Sequence, residues 1–178
     1  VEKAPQSAYI SERNVADLST AAPKLLGQLH SAYRKAPHYQ AARELIEAVL
    51  NIEDTNLGTF LFKSLQLVSD YCELDTQLVL SSTLQKEDAG LTGSQRVIAL
   101  AKANGATMYI NAIGGRDMYQ SADFTAENID LRFIKMHDIE YAQGGDGFVP
   151  YLSMVDVLMF NSKAQIQNYL QQYSLLAE

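Results

Sequence analysis

Apolar positions in the first half of the chain repeat with the spacing of amphipathic α-helices. The first stripe on one helical face consists of Leu25, Leu26, Leu29, Ala32 and Tyr33. Pro37 predicts the end of this helix, because proline disfavours the helical conformation at the residue before it. Two further stripes, at residues 45–50 and 60–72, predict a second and a third helix. We therefore predict a helical subregion over residues 18–74.

The second half changes to short apolar runs of the kind that form strands. The predicted strands cover residues 76–84, 107–113 and 131–137. The predicted helices cover residues 92–104, 122–128 and 153–160, with a last one opened by Ser162. Strands that alternate with helices are typical of parallel βαβ units. The predicted class is α/β: a helical first half, then a small parallel βαβαβ sheet within an α/β subregion at residues 75–178, closed by C-terminal helices.

Length, charge and cysteine content restrict the class of protein further. The 178 residues suit a single domain over residues 1–178. No apolar run approaches the roughly 20 residues of a transmembrane helix, so no membrane span is predicted. The net charge of −7 argues against a nucleic-acid partner, because phosphate backbones are bound by clustered Lys and Arg. The single Cys72 excludes an internal disulfide and favours a cytoplasmic protein. Because the chain starts at Val1 without a signal-peptide pattern, we interpret it as part of a longer protein or as a trimmed chain.

Polar and glycine residues follow the predicted strand in the segment TMYINAIGGRDMY, residues 107–119. The candidate substrate-binding residues here are Asn111, Gly114, Gly115 and Arg116. Ligands of parallel sheets bind outside the carboxyl ends of the strands, where this segment would lie beside Ser81, Ser82, His137 and Asp138. Glycine lets a backbone approach a ligand closely, and Arg116 suits a phosphate or carboxylate group. That the glycine pair only forms a tight turn stays open, since it matches neither a dinucleotide-binding nor a P-loop motif.

Asp156 is the candidate catalytic residue. It lies in the apolar segment LSMVDVLMF, which predicts at least partial burial. A buried carboxylate needs a polar partner and often marks a functional site. The spacing Ser153-x-x-Asp156 also fits a helix N-terminal capping box, so a structural role stays open.

The remaining side chains that could bind a ligand or react give weaker signals. Tyr119 and Tyr141 suit the binding of a sugar ring, although tyrosine also packs well in a core. The histidines have no metal-ligand spacing, so no metal site is predicted. The sequence does not identify a cofactor. Cys72 continues an apolar helical stripe and is predicted to be a core thiol.

Four segments together resemble the WbqC-like family, and the resemblance runs from about residue 9 onward. They are SAYRKAPHY at 31–39, EDTNL at 53–57, GSQRVIALAKANGATMYINAIGG at 93–115, and FVPYLSMVDVLMFNS at 148–162. The matching positions are Gly93, Arg96, Asn111, Gly114, Gly115, Tyr119, Tyr141, Pro150, Ser153 and Asp156. The resemblance transfers no catalytic role to any of them. Members of the family typically begin with a region that holds an aromatic-rich Gln-Pro motif, and we expect this chain to lack it.

The resemblance implies a role in bacterial surface-polysaccharide synthesis, as in O-antigen and lipopolysaccharide biosynthesis. The implied reaction is the cytoplasmic transfer of a small acyl or aminoacyl group to a nucleotide-linked amino sugar, which would be the small-molecule partner. The alternative is a non-catalytic sugar- or partner-binding domain that needs an N-terminal portion or another subunit, and a homo-oligomer stays open. Nucleotidyl transfer ranks last, because the sequence holds no specific phosphate-binding motif.

Overall fold

The structure, a computed structural model, describes residues 1–84, 90–145 and 147–178. The α-helices are α1 (Ala21–Tyr33), α2 (Tyr39–Leu50), α3 (Leu57–Tyr71), α4 (Gly93–Ala103), α5 (Ser121–Thr125), α6 (Met154–Phe160) and α7 (Lys163–Leu170). The strands are β1 (Met108–Ala112), β2 (Asp130–Met136) and β3 (Tyr173–Leu176). Short 3-10 helices cover Ile10–Glu12, Ser81–Thr83 and Ile113–Met118. Within the described ranges, no helix is long and apolar enough to cross a membrane.

The α/β class and the helical first half are confirmed. The helices begin where capping chemistry allows: the Asn56 side chain accepts the Thr59 backbone N–H at 3.1 Å and starts α3. Before α7, Gln165 Oε1 accepts the Ser162 N–H at 2.9 Å while Ser162 Oγ accepts the Gln165 N–H at 3.3 Å, a reciprocal capping box. At the other end of a helix, Gly105 follows α4 with a positive φ of 64°, the conformation expected after a C-terminus.

One of the three strands of the sheet is formed by a different segment from the predicted one. Residues 76–84 do not join a sheet; they run without regular structure into the 3-10 helix at Ser81–Thr83. The strand order is β1-β2-β3, with β1 and β2 parallel and β3 antiparallel to β2. The predicted strand at 76–84 was therefore wrong, and the predicted βαβαβ sheet reduces to one parallel βαβ pair plus β3. A short apolar run does not specify a partner, and the free edge of β2 is taken by β3.

The chain folds into two compact units. The first consists of Val1–Leu78 and Ile139–Tyr169, and the second of Val79–Asp138 and Leu170–Glu178. The C-terminal helices α6 and α7 therefore belong with the N-terminal helices, while all three strands belong to the second unit.

Each unit has its own buried contacts. In the first, α2 packs against α1, α3 and α6, and the His38 N–H donates to the Met159 carbonyl at 3.0 Å. Cys72 is also buried there, and burial raises the pKa of its thiol, which agrees with a core residue. In the second unit, the core between the sheet, α4 and α5 consists of Ile98, Tyr119, Phe124, Ile129, Leu131 and Phe133. This core fixes one face of β1 and thereby the side chains at its carboxyl end.

Candidate functional site

In the first unit, the carboxylate of Asp156 is buried and accepts three hydrogen bonds. Its side chain is 3% exposed. Oδ1 accepts from the Tyr141 hydroxyl at 2.7 Å and from Gln143 Nε2 at 3.0 Å. Oδ2 accepts from the Tyr33 hydroxyl at 3.0 Å. The predicted burial of Asp156 is therefore confirmed, and its partners come from α1 and from the segment after Ile139.

Helix α6 places Asp156 in its first turn. Ser153 is the N-cap residue, and its Oγ accepts the Val155 N–H at 3.2 Å. The predicted cap is thus present, but the carboxylate of Asp156 accepts side-chain donors instead of completing a capping box. The positive end of the helix dipole additionally favours a carboxylate at this position.

Gln143 connects the carboxylate to the loop that precedes α6. Its Oε1 accepts the Val149 N–H at 2.7 Å, and its Nε2 donates to the Val149 carbonyl at 3.0 Å as well as to Asp156. Gly144 has a positive φ of 74°, and a Cβ there would lie 3.3 Å from the Phe160 ring. Asp146, in the segment QGGDG at residues 143–147, lies outside the described residues. Gln143 therefore joins the Asp156 carboxylate to the backbone of Val149, and Gly144 permits the positive φ next to it.

The two tyrosines keep their protons at neutral pH. Burial raises the pKa of Tyr141 to about 12, and its hydrogen bond to Asp156 adds to the increase. Burial, followed by the hydrogen bond to Asp156, also raises the pKa of Tyr33. Both hydroxyls therefore act as donors, and the arrangement presents a desolvated carboxylate held by neutral groups.

In the second unit, a polar cluster lies at the carboxyl end of β1. Asn111 Nδ2 donates to the Tyr109 hydroxyl at 3.0 Å, and the Tyr109 and Tyr119 hydroxyls lie 3.4 Å apart. Asn111 Oδ1 accepts the Ala112 N–H at 2.7 Å. Burial raises the pKa of Tyr109 to about 12, with the Tyr119 hydroxyl as the next cause. The candidates Asn111 and Tyr119 are thus brought together through Tyr109.

The glycine pair has a different conformation from a tight turn. Ile113–Met118 forms a 3-10 helix, and neither Gly114 nor Gly115 has a positive φ. A Cβ on Gly115 would lie 3.2 Å from Asn111 Oδ1, whereas a Cβ on Gly114 would meet nothing within 4 Å. Packing against the Asn111 amide therefore explains Gly115, and open space remains above Gly114.

Arg116 lies exposed in the same 3-10 helix. The pKa of the Glu178 carboxyl is lowered mainly by hydrogen bonds from Ser121, and Arg116 contributes through its charge. The guanidinium of Arg116 is therefore accessible to solvent but already faces an anionic neighbour. Elsewhere in this unit, His137 Nε2 and Ser174 Oγ lie 2.8 Å apart, a pair that the sequence pattern did not indicate.

The predicted site residues divide between the two units. Tyr141 and Asp156 lie in the first; the second contains Asn111, Gly114, Gly115, Arg116 and Tyr119. Tyr33 and Gln143 were not predicted, because one belongs to an apolar helical stripe and the other to a glycine-rich turn. Among the described residues, no group of three or more His, Cys, Asp or Glu side chains could hold a metal ion.

Comparison with known proteins gives a family match. Residues 1–168 match the sequence model of the WbqC-like protein family, which covers most of the 178 residues. No curated protein and no solved structure gave a significant match. The family description names no substrate and assigns no residue a role.

A pair of glycine substitutions tests the packing of Gly115. Gly115→Ala should lower the free energy of unfolding by about 1 kcal/mol relative to Gly114→Ala, because the new methyl group displaces an amide held by Tyr109 and Ala112. Urea unfolding of both variants measures the difference. Equal stability of the two variants would contradict a packing role for Gly115.

The raised pKa of Tyr141 predicts a loss of stability in alkali. A raised pKa in the folded state means that the stabilisation is present below pH 10 and is lost as pH rises towards about 12. Urea unfolding at several pH values should therefore give a steeper decline for the wild-type protein than for Tyr141→Phe. Tyr151→Phe is the matched control, because Tyr151 is 96% exposed and should leave the slope unchanged. Identical slopes in all three proteins would exclude Tyr141 as the origin of the stability loss in alkali.

Proposed function

This chain belongs to the WbqC-like protein family, and on that basis we propose that it is a transferase of bacterial surface-polysaccharide biosynthesis. It would act in the cytoplasm and add a small acyl or aminoacyl group to a nucleotide-linked amino sugar. The observation that carries the proposal is the buried carboxylate of Asp156, which two neutral tyrosine hydroxyls and one amide hold in place.

Asp156 serves as the general base of the proposed reaction. The amine nitrogen of the sugar forms a bond to the acyl carbon, and the bond from that carbon to its carrier breaks. The carboxylate accepts the proton that the amine releases. A carboxylate has about four acceptor sites, and the donors among residues 1–84, 90–145 and 147–178 occupy two on Oδ1 and one on Oδ2, which leaves one on Oδ2. This remaining acceptor site is where the amine would donate, while Tyr141 contacts the sugar.

The cluster of the second unit is proposed separately as a substrate-binding surface. The residues are Asn111, Gly114, Gly115, Arg116 and Tyr119. The exposed guanidinium of Arg116 would pair with a phosphate or carboxylate group of the substrate. The open space above Gly114 lets such a group approach the backbone.

Replacing Asp156 by Asn tests the general base. The variant keeps the size of the side chain but removes the basic oxygen, so turnover should fall by about 100-fold or more. A coupled assay of acyl transfer to nucleotide-linked amino sugars measures the rate, and circular dichroism checks the fold. Ser153→Ala is the control, because it removes the cap of α6 at a cost of about 1 kcal/mol and keeps the carboxylate. Full activity of Asp156→Asn would exclude the general-base role.

Thermal-shift screening against nucleotide sugars, nucleotides and acyl donors tests the substrate class. A binder at 100 times its dissociation constant stabilises the fold by about 2.7 kcal/mol. The shift caused by a nucleotide-linked amino sugar should be smaller in Arg116→Ala and unchanged in Lys135→Ala, which removes an exposed positive charge from β2 of the same unit. An unchanged shift in Arg116→Ala would remove Arg116 from the binding surface.

A binding domain without catalysis is the second candidate function. The observation in its favour is that Asp156 is only 3% exposed, as expected for a carboxylate that joins three chain segments. On this reading Asp156→Asn unfolds the first unit instead of abolishing turnover in a folded protein. Activity would then require an N-terminal portion or another subunit.

A further inference from the structure

Positive charge is concentrated in one part of this acidic chain. Residues 18–43 contain no Asp or Glu, although the whole chain has a net charge of −7. The positively charged side chains in this stretch are Lys24, Arg34, Lys35 and Arg43. The stretch forms α1, the turn at residues 34–38 and the start of α2, all within the first unit. The charges therefore lie on one continuous piece of structure.

The turn at residues 34–38 is held by backbone hydrogen bonds on both sides. The Arg34 N–H donates to the His30 carbonyl at 3.1 Å, and the Ala36 N–H donates to the Tyr33 carbonyl at 2.8 Å. The His38 N–H donates to the Met159 carbonyl of α6 at 3.0 Å. Arg34 and Lys35 are thus presented from an ordered backbone, which lowers the entropy lost on binding.

No described residue neutralises the charges of Arg34 and Lys35. Both side chains are exposed, and neither makes an ion pair or a side-chain hydrogen bond with any described residue. Arg43 differs, because its guanidinium pairs with Glu47 at 2.8 Å. Two adjacent free cations on a protein of opposite net charge suit an anionic ligand with more than one charged oxygen.

The turn directly follows the residue that contacts Asp156. Tyr33 ends α1, donates its hydroxyl to the Asp156 carboxylate, and is followed in the chain by Arg34 and Lys35. We propose that Arg34 and Lys35 bind the diphosphate group of a nucleotide-linked substrate on the surface of the unit that contains Asp156. The identity of the substrate rests on the proposed function, whereas the binding of a diphosphate does not. The site would hold the phosphates within the same unit as the proposed general base.

Isothermal titration of the whole chain with inorganic pyrophosphate tests the site. The double variant Arg34→Ala/Lys35→Ala should bind about tenfold more weakly or worse, because two charge-assisted contacts are lost. The matched control is Lys3→Ala/Lys135→Ala, which changes the net charge by the same amount at exposed positions outside residues 18–43 and should keep the wild-type affinity. An equal loss in both double variants, or no binding by the wild-type protein, would overturn the proposal.

Further measurements separate this proposal from the proposed function. If pyrophosphate binding depends on Arg34 and Lys35 but no nucleotide-linked amino sugar is modified, the diphosphate site stands and the transferase fails. If transfer proceeds and its KM is unchanged in Arg34→Ala/Lys35→Ala, the transferase stands and the diphosphate site fails. Unfolding of the double variant is not expected, since neither side chain has a side-chain partner in the part of the chain that the structure describes, and circular dichroism checks this.

Discussion

The arrangement of the first unit depends on one buried carboxyl group, that of Asp156. An ionised carboxylate cannot leave water without partners, and Asp156 finds them in Tyr33, Tyr141 and Gln143. Tyr33 lies 123 residues away in the chain, so this hydrogen bond joins α1 to α6. Removing one partner of a buried charge typically costs more than the interaction contributes, because the group that remains is still desolvated. Hydrogen bonds to charged groups contribute about 1.5–3 kcal/mol each. The three donors therefore contribute substantially to holding α1, the segment after Ile139 and α6 together.

Local signals in the sequence predicted the helices well. Apolar spacing and capping residues such as Asn56 and Ser162 act within a few residues, and the helices they predict are present. Strand pairing is not local. The run at 76–84 and the segment at Tyr173–Leu176 both contain apolar residues, yet only the second pairs with β2. Nothing within either segment tells which one finds a partner, so the parallel pair was predicted and the third strand was not.

The same distinction applies to the candidate site. The apolar neighbours of Asp156 predicted its burial, which is a local property. Its partner Tyr33 was interpreted only as part of an apolar stripe, because a tyrosine that packs and a tyrosine that donates to a carboxylate have the same spacing. The glycine pair shows a contact that local sequence signals did not predict. Gly115 is explained by the amide of Asn111 four residues earlier, a contact that appears only once the 3-10 helix is known.

Whether Asp156 is a base or an anchor depends on how its acceptor sites are used. A purely structural carboxylate gains most when every acceptor site is filled, since each unfilled site is desolvated without return. Asp156 accepts two hydrogen bonds on Oδ1 and one on Oδ2 from the described residues. Both tyrosines are held in the neutral form, and burial is the main reason for each raised pKa. The two tyrosines therefore do not compete for a proton at neutral pH, and under the proposed function the substrate amine would donate to Oδ2, which accepts only one hydrogen bond from the described residues.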